Sequence, residues 1–476
     1  MTRSPSRFGS AISALFLLLV IAIITCYSPD PAWSTNIVED DDWTLDLDGS
    51  IKGFGFAMQM GQYPASALSL MGWDSKGAYM GVGDFRLSFS GAYKEDKLKW
   101  VIMVKSSTMF SSQPNILQSM TGGTSSTYEP PRAFPLQYTQ SDDPNALWSN
   151  EFDRLMVKFR LGKFDFILGR QPIGLGVGFI WQPADLLGTF SPLEIDKEYK
   201  AGVDALRINL ALGKFTELSV IGVAGGEPCR QTFVPGGPTA LESWAWQNPS
   251  GSTCAPSDPR IHKNWSSGLF RFRTTMGDWD LGLLGGYVRG DLVGGLFFST
   301  VLKRLKIRSE ATFTHDLDPG EVGDVYYSAK KQYVRAILGA NYPFDTKREL
   351  NMILELYYNG YGAVDPKDYF SRYQSARTAL FGEVQNLGVL YAGYGINWSL
   401  TDRVKTSFMA LGNLLDYSFH ASLMFQFTLS DNSSLSAGGF LPLGKASSFT
   451  ITDGLTINSE FGLYPKMVYL QYKRYF

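Results

Sequence analysis

His420 and Ser422 stand two residues apart, with Asn432 not far downstream. On an extended strand that spacing puts both side chains on one face, where an imidazole could take the proton of a nucleophilic hydroxyl. His262 and His315 show no comparable partner. Cys229 and Cys254 lie in one Pro/Gly-rich stretch with only His262 nearby, too few ligands for a metal centre. They are expected to form a disulfide stapling a loop of about 25 residues, which in the chain-entropy model stabilises by roughly 3 kcal/mol. No C-x-x-C-H motif occurs, so the chain attaches no c-type haem of its own. The largest chemically active set is basic: Arg86, Lys105, Arg154, Lys158, Arg160, Arg207, Arg271, Arg273 and Arg308. Each falls on the polar face of an alternating run, and rings of such cations around a narrow passage would favour anions. Cross-strand pairing with Asp84, Asp165, Glu310, Glu355 or loop acids is the alternative role for them.

The elements that would position these residues are strands. Leu155, Val157, Phe159 and Leu161 face away from Arg154, Lys158 and Arg160; Ile307, Ala311 and Phe313 oppose Lys306, Arg308 and Glu310. Phe419, Ala421, Leu423, Phe425 and Phe427 oppose His420, Ser422 and Gln426. The His/Ser pair is therefore on the wet face, away from where an enzyme acting on membrane lipid would need it, and reads as a polar interior pair; no catalysis is expected. Acidic and basic residues number 45 and 43, so no global field points to nucleic acid. Beyond the N-terminus no apolar stretch is long enough for a spanning helix, and no linker divides the chain. Apolar residues spread one in two along many short strands fit a transmembrane antiparallel up-and-down β-barrel. Counting runs gives about 16 strands, within 14–18, the glycine-rich run Leu281 to Phe298 being hard to divide. Lys94-Glu95-Asp96, Gly162-Lys163, Gly213-Lys214, Gly277-Asp278, Pro343–Thr346 and Ser430–Asn432 read as short turns at one rim. Long loops at the other rim are expected near 109–149, 172–200, 226–263, 316–330 and 360–386.

Arg3 and Arg7 precede an apolar run from about Ala11 to Ile24, followed by Ala32-Trp33-Ser34. This is the pattern of a cleaved secretory signal over residues 1–34, leaving a short segment, 35–42, before a barrel over 43–476. Cys26 raises a lipoprotein alternative, but no small residue directly precedes it.

The last ten residues, Met467 to Phe476, alternate and stop on an aromatic. They resemble the closing strand of Gram-negative outer-membrane β-barrels. Gly169-Arg170-Gln171, Gly174, Gly176, Trp181, Pro183 and Asp185 resemble a segment found in large porin-like barrel families, including exporters of anionic polysaccharide and barrels that sheath multihaem cytochromes. A tryptophan–glycine pair expected after the glutamine is replaced by Gly174-Leu175-Gly176. The resemblance implies an outer-membrane porin in contact with lipid, passing small hydrophilic solutes or ions, without cofactor. It places Arg170, Gln171, Trp181 and Asp185 at a mouth loop bending inward, and a homotrimer as the assembly. Its rival is a sheath whose lumen houses a periplasmic partner such as a multihaem cytochrome. The constriction is expected from the 109–149 or the 172–200 loop against Arg154, Lys158, Arg160 and Arg207.

Overall fold

The computed structural model describes residues 35–40, 42–59, 77–94, 97–113, 130, 132–143, 145–226, 230–233, 244–247, 261–317, 330–373, 375, 382–450 and 454–476. The expected signal segment and both cysteines of the expected disulfide lie outside these residues.

Eighteen strands form one closed ring. In order they are Trp43–Gln59, Gly77–Tyr93, Leu98–Ser111, Ala146–Leu161, Phe164–Gln171, Val203–Ala211, Thr216–Val223, Ser267–Met276 and Trp279–Val288. The ring continues through Asp291–Leu302, Leu305–Asp316, Gln332–Phe344, Leu350–Asn359, Leu390–Ser399, Val404–Asn413, Ser418–Ser430, Ser433–Leu443 and Lys466–Tyr475. Each pairs antiparallel with the one before it, and the last closes on the first from Ser50↔Tyr475 to Gln59↔Lys466. Six further described strands stand outside the ring, four of them in the hairpins Arg230–Phe233 with Trp244–Gln247 and Ser448–Thr450 with Gly454–Thr456. Thr35–Glu39 pairs with the first strand below the end of the last one, from Thr35↔Leu47 to Glu39↔Thr44, and Gln137–Asp143 lies along Ala146–Leu161.

The count corrects the expected 16. The ambiguous glycine-rich run is two strands joined at Arg289-Gly290, whose φ values of 49° and 93° make a two-residue hairpin turn with Val288 facing Asp291. A second short connection, Leu414–Tyr417, also sits at the rim otherwise occupied by long loops. The expectation that every connection there is long hid these hairpins. The short turns anticipated at Gly162-Lys163, Gly213-Lys214, Gly277-Asp278 and Ser430–Asn432 occur at the opposite rim; the one expected at Pro343–Thr346 falls later, because Pro343 and Phe344 still pair with Asn351 and Leu350, and Glu95 and Asp96 of the first lie outside the described residues.

The outward face is apolar over its whole height. Leu168, Leu296 and Val468 are 57%, 67% and 62% exposed, among a belt that includes Phe85, Val157, Val220, Phe313, Leu354 and Leu423. Trp43, Trp279 and Trp398 ring the short-turn rim; Tyr79, Trp148 and Tyr358 ring the other. A closed ladder satisfies every strand amide, so such a wall can stand in lipid, with its aromatics at the two interfaces. No described helix is long and apolar enough to cross a membrane.

Buried apolar side chains sit inside the ring, between the wall and the segment 172–202. Ile173, Leu175, Leu186 and Leu187 pack on Val203, Ile221, Leu269, Leu284 and Val293. Ile180 and Trp181 pack on Ile337, Tyr357, Tyr391 and Leu411. Each such side chain contributes about 1.5–3 kcal/mol on burial, enough together to hold an irregular segment away from water. His420 also faces inward, against the rings of Phe440, Phe461 and Tyr464 at 5.3–5.9 Å, and not toward lipid.

Candidate functional site

The segment 172–202 leaves the wall after Gln171, crosses the lumen and returns at Val203. On the far side two wall carboxylates catch its backbone. Glu355 accepts the N–H groups of Phe179, Ile180 and Trp181 at 2.8, 3.0 and 2.7 Å. Glu310 accepts those of Val177 and Ala184 at 2.5 and 2.9 Å. Wall arginines take the carbonyls: Arg308 donates to Val177 (3.1 Å) and stacks over the Phe179 ring, while Arg335 donates to Pro183 (3.0 Å). An irregular turn buried in this way would otherwise strand its polar backbone groups. Trp181 stacks on Tyr357 at 5.3 Å and donates its indole N–H to Asn386 at 2.8 Å. Gly393 makes the approach possible, because a Cβ there would press into Ile180 and Trp181.

The returning limb is held on the opposite side, across the seam where the first and last strands meet. Asp196 and Glu198 both accept from Lys52 (2.7 and 2.6 Å) and from Lys473 (3.0 and 3.4 Å), and Tyr475 donates to Glu198 at 2.7 Å. Burial works against ionising Asp196, but the hydrogen bond from Lys52 and the charge of Lys473 outweigh it and lower its pKa. The Tyr199 ring lies between Lys52 and Arg86, 4.6 and 4.4 Å from its centroid. Asp185 joins the two limbs, accepting from Lys200 and from the Leu175 N–H at 3.2 Å. Beneath Tyr199, toward the short-turn rim, a cavity of about 400 Å³ is bounded by Asp48, Ser50, Arg86, Asn432 and Tyr475.

Most of the basic residues singled out from sequence are paired. Arg86 and Arg154 bind Asp153 (2.9 Å each), Lys105 binds Glu151 (3.3 Å), and Lys158 and Arg160 share Asp165 (3.3 and 2.6 Å). Arg273 approaches Glu217 at 3.6 Å. Arg207, Arg271 and Arg308 have no carboxylate within ion-pair distance among the described residues, and Arg271 lies over the Phe297 ring. Of the four expected at the constriction, only Arg154 meets the crossing segment, through the Lys200 carbonyl. Lys158 and Arg160 belong to the short-turn rim beside Gly162.

The segment's motif residues anchor it. Arg170 is 2% exposed, forks onto Asp204 at 2.8 and 3.1 Å, and donates to the carbonyls of Phe134 and Phe152. Gln171 donates to the carbonyls of Ile167 and Ala205 at 3.0 and 3.1 Å. Glu310 and Glu355 carry the far anchorage, which sequence reasoning had counted only as lumen acids. The available signal was their isolation: Glu355 interrupts the inward series Ile353, Tyr357 with a charge that no neighbouring base on its own strand answers. Among the described residues no group of histidine, cysteine and carboxylate could hold a metal.

No protein-family profile and no curated protein matches the chain. Among solved structures it is similar to OccAB1 of Acinetobacter baumannii, at 9% identity over 94% of this chain and 99% of that one, with a TM-score of 0.49. It is likewise similar to OprB of Pseudomonas putida (10% identity, 92% and 95% covered, TM-score 0.43) and to OccK11 (OpdR) of Pseudomonas aeruginosa (8% identity, 90% and 96% covered, TM-score 0.44).

Proposed function

We propose that the chain is an outer-membrane channel of porin type for passive diffusion of small hydrophilic solutes, with an anion bias. One observation carries this reading: the chain's own segment 172–202 crosses a closed, polar-lined lumen and is tied to both sides of the wall. A constriction so held narrows a passage without sealing it by a separate domain. The short-turn rim, where the last strand ends, would face the periplasm, and the long loops would face outside. The anion bias rests on Arg207, Arg271 and Arg308, each a wall cation with no ion pair among the described residues. The adjoining arc of the lumen, beginning on the strand beside Arg308, offers neutral groups, among them Asn341, Asn351, Asn397, Ser407 and Gln426. The rival reading, a sheath around a cytochrome, needs the space that the crossing segment occupies.

The test is single-channel conductance of the detergent-purified protein in a planar bilayer under a salt gradient. Open steps with an anion-biased reversal potential are expected. Arg207→Glu together with Arg271→Glu should lower the anion-to-cation permeability ratio severalfold, since each reversal removes a cation and adds an anion in a confined lumen. An unchanged ratio would sink the assignment to these arginines. A barrel that inserts but never conducts would turn attention to a co-purifying partner. Native mass of the purified protein tests the homotrimer.

A further inference from the structure

Asp196 and Glu198 are tied to the wall by Lys52 and Lys473, which directs the side chain between them, Lys197, to the other side of the limb. Lys197 is exposed within the lumen. Its ammonium donates to the Pro192 carbonyl at 3.3 Å and has no carboxylate within ion-pair distance among the described residues. Three residues earlier, Glu194 closes a tight turn: its backbone N–H donates to the Ser191 carbonyl at 3.1 Å, and its carboxylate accepts the Ser191 N–H at 3.3 Å. It too lacks an ion pair among the described residues. Each is therefore a charge on the crossing segment compensated only at longer range, chiefly by the other.

Resting on the reading of this segment as a constriction, we infer that Glu194 and Lys197 form a pH-dependent selectivity element, with Lys197 the pore-facing cation and Glu194 the group that offsets it. Confinement among barrel atoms disfavours both charges. It pushes the Glu194 carboxyl up to about 7, and it lowers the Lys197 ammonium, against the pull of Glu194 and Glu355. The other charged groups facing Glu194 do not substitute for it. Asp196 is held ionised by the two wall lysines, and Lys105 on the strand Leu98–Ser111 is engaged by Glu151. Glu355, which faces Lys197 from the strand Leu350–Asn359, already accepts three backbone N–H groups.

The sign follows. Below the Glu194 pKa the carboxyl is neutral, and the pair presents the charge of Lys197 alone. Above it the carboxylate cancels that charge. Anion preference therefore strengthens on acidification as Glu194 takes up its proton, and the wall arginines keep their charge throughout.

Reversal potentials are measured in potassium chloride gradients from about pH 5.5 to about pH 8.5, a range in which ordinary carboxyls and lysines do not titrate. The wild-type anion-to-cation ratio should fall about threefold across this range, with a midpoint near 7. Glu194→Gln should stay at the acid value throughout, and Glu194→Asp should restore a step. Lys197→Gln should lower the ratio at every pH, and Lys197→Arg should keep it. Circular dichroism confirms that each variant retains the barrel. A step that survives Glu194→Gln, or a ratio indifferent to Lys197→Gln, overturns the inference and leaves the channel reading in place. A wild-type protein that conducts nothing removes both.

Discussion

Replacing Glu355 with alanine is expected to release the far end of the crossing segment and to raise single-channel conductance about twofold, with flickering between levels. The carboxylate is the sole described acceptor for three consecutive backbone N–H groups, those of Phe179, Ile180 and Trp181. Each buried donor left unmade costs about 1–3 kcal/mol, so the tip loses on the order of 3 kcal/mol or more. Trp181 would keep its packing on Tyr357 and Tyr391, and Glu310 its two N–H groups, so the segment should partition between held and released forms. Each 1.4 kcal/mol or so shifts such a partition about tenfold. Glu355→Gln, which keeps one carbonyl oxygen but turns an amide N–H toward N–H groups, should fall between wild type and alanine. Adding Glu310→Ala to Glu355→Ala should make the released form dominant. Amide hydrogen exchange at residues 177–184 gives an independent readout, and exchange as slow in the double variant as in wild type would contradict this account.

The wall is largely legible in the sequence, and the site is not. Alternation names faces because strand side chains have period two, so Leu155, Val157 and Phe159 could be turned outward from sequence alone. Turn chemistry located one rim for the same local reason. The strand count slipped where local signals were weakest, in the glycine-rich stretch around Arg289-Gly290, since glycine carries no face. Parity also fixes no height along the strand. It therefore could not tell Arg160, which meets Asp165 at the short-turn rim, from Arg308, which meets the crossing segment. Nor could it pair Lys52 with Asp196, 144 positions away in the chain. The segment 172–202 has no period of its own. Its path is dictated by carboxylates and arginines on other strands, information carried by the closed ring and absent from any window of residues.

A second large effect is expected at Glu460, where three connections of the long-loop rim meet. Its carboxylate is fully buried and accepts from the side chains of Asn386 and Asn413 at 3.0 Å each, from the Tyr391 hydroxyl, and from the backbone N–H groups of Leu387 and Gly388. Its own N–H donates to Asp416 at 2.8 Å. Glu460→Ala strands several buried donors at once, and should cost the rim roughly 3–5 kcal/mol, read as faster exchange of amides in 382–390 and 457–463 and an earlier denaturant transition. Burial raises the Glu460 pKa, outweighing the hydrogen bonds from Tyr391 and Asn386. The folded form then holds a proton more tightly than the unfolded one, and this residue's contribution is lost as pH rises from the unfolded value through the folded one. Glu460→Gln should remove that pH dependence at a smaller cost in stability. The consequence reaches the lumen through Asn386, which holds Glu460 with its amide N–H and the Trp181 indole with its amide oxygen. If that bond steadies the crossing segment, Glu460→Ala channels should flicker as Glu355→Ala channels do, while Glu310 and Glu355 remain intact. Quiet Glu460→Ala channels with a demonstrably loosened rim would mean that the wall carboxylates alone hold the constriction.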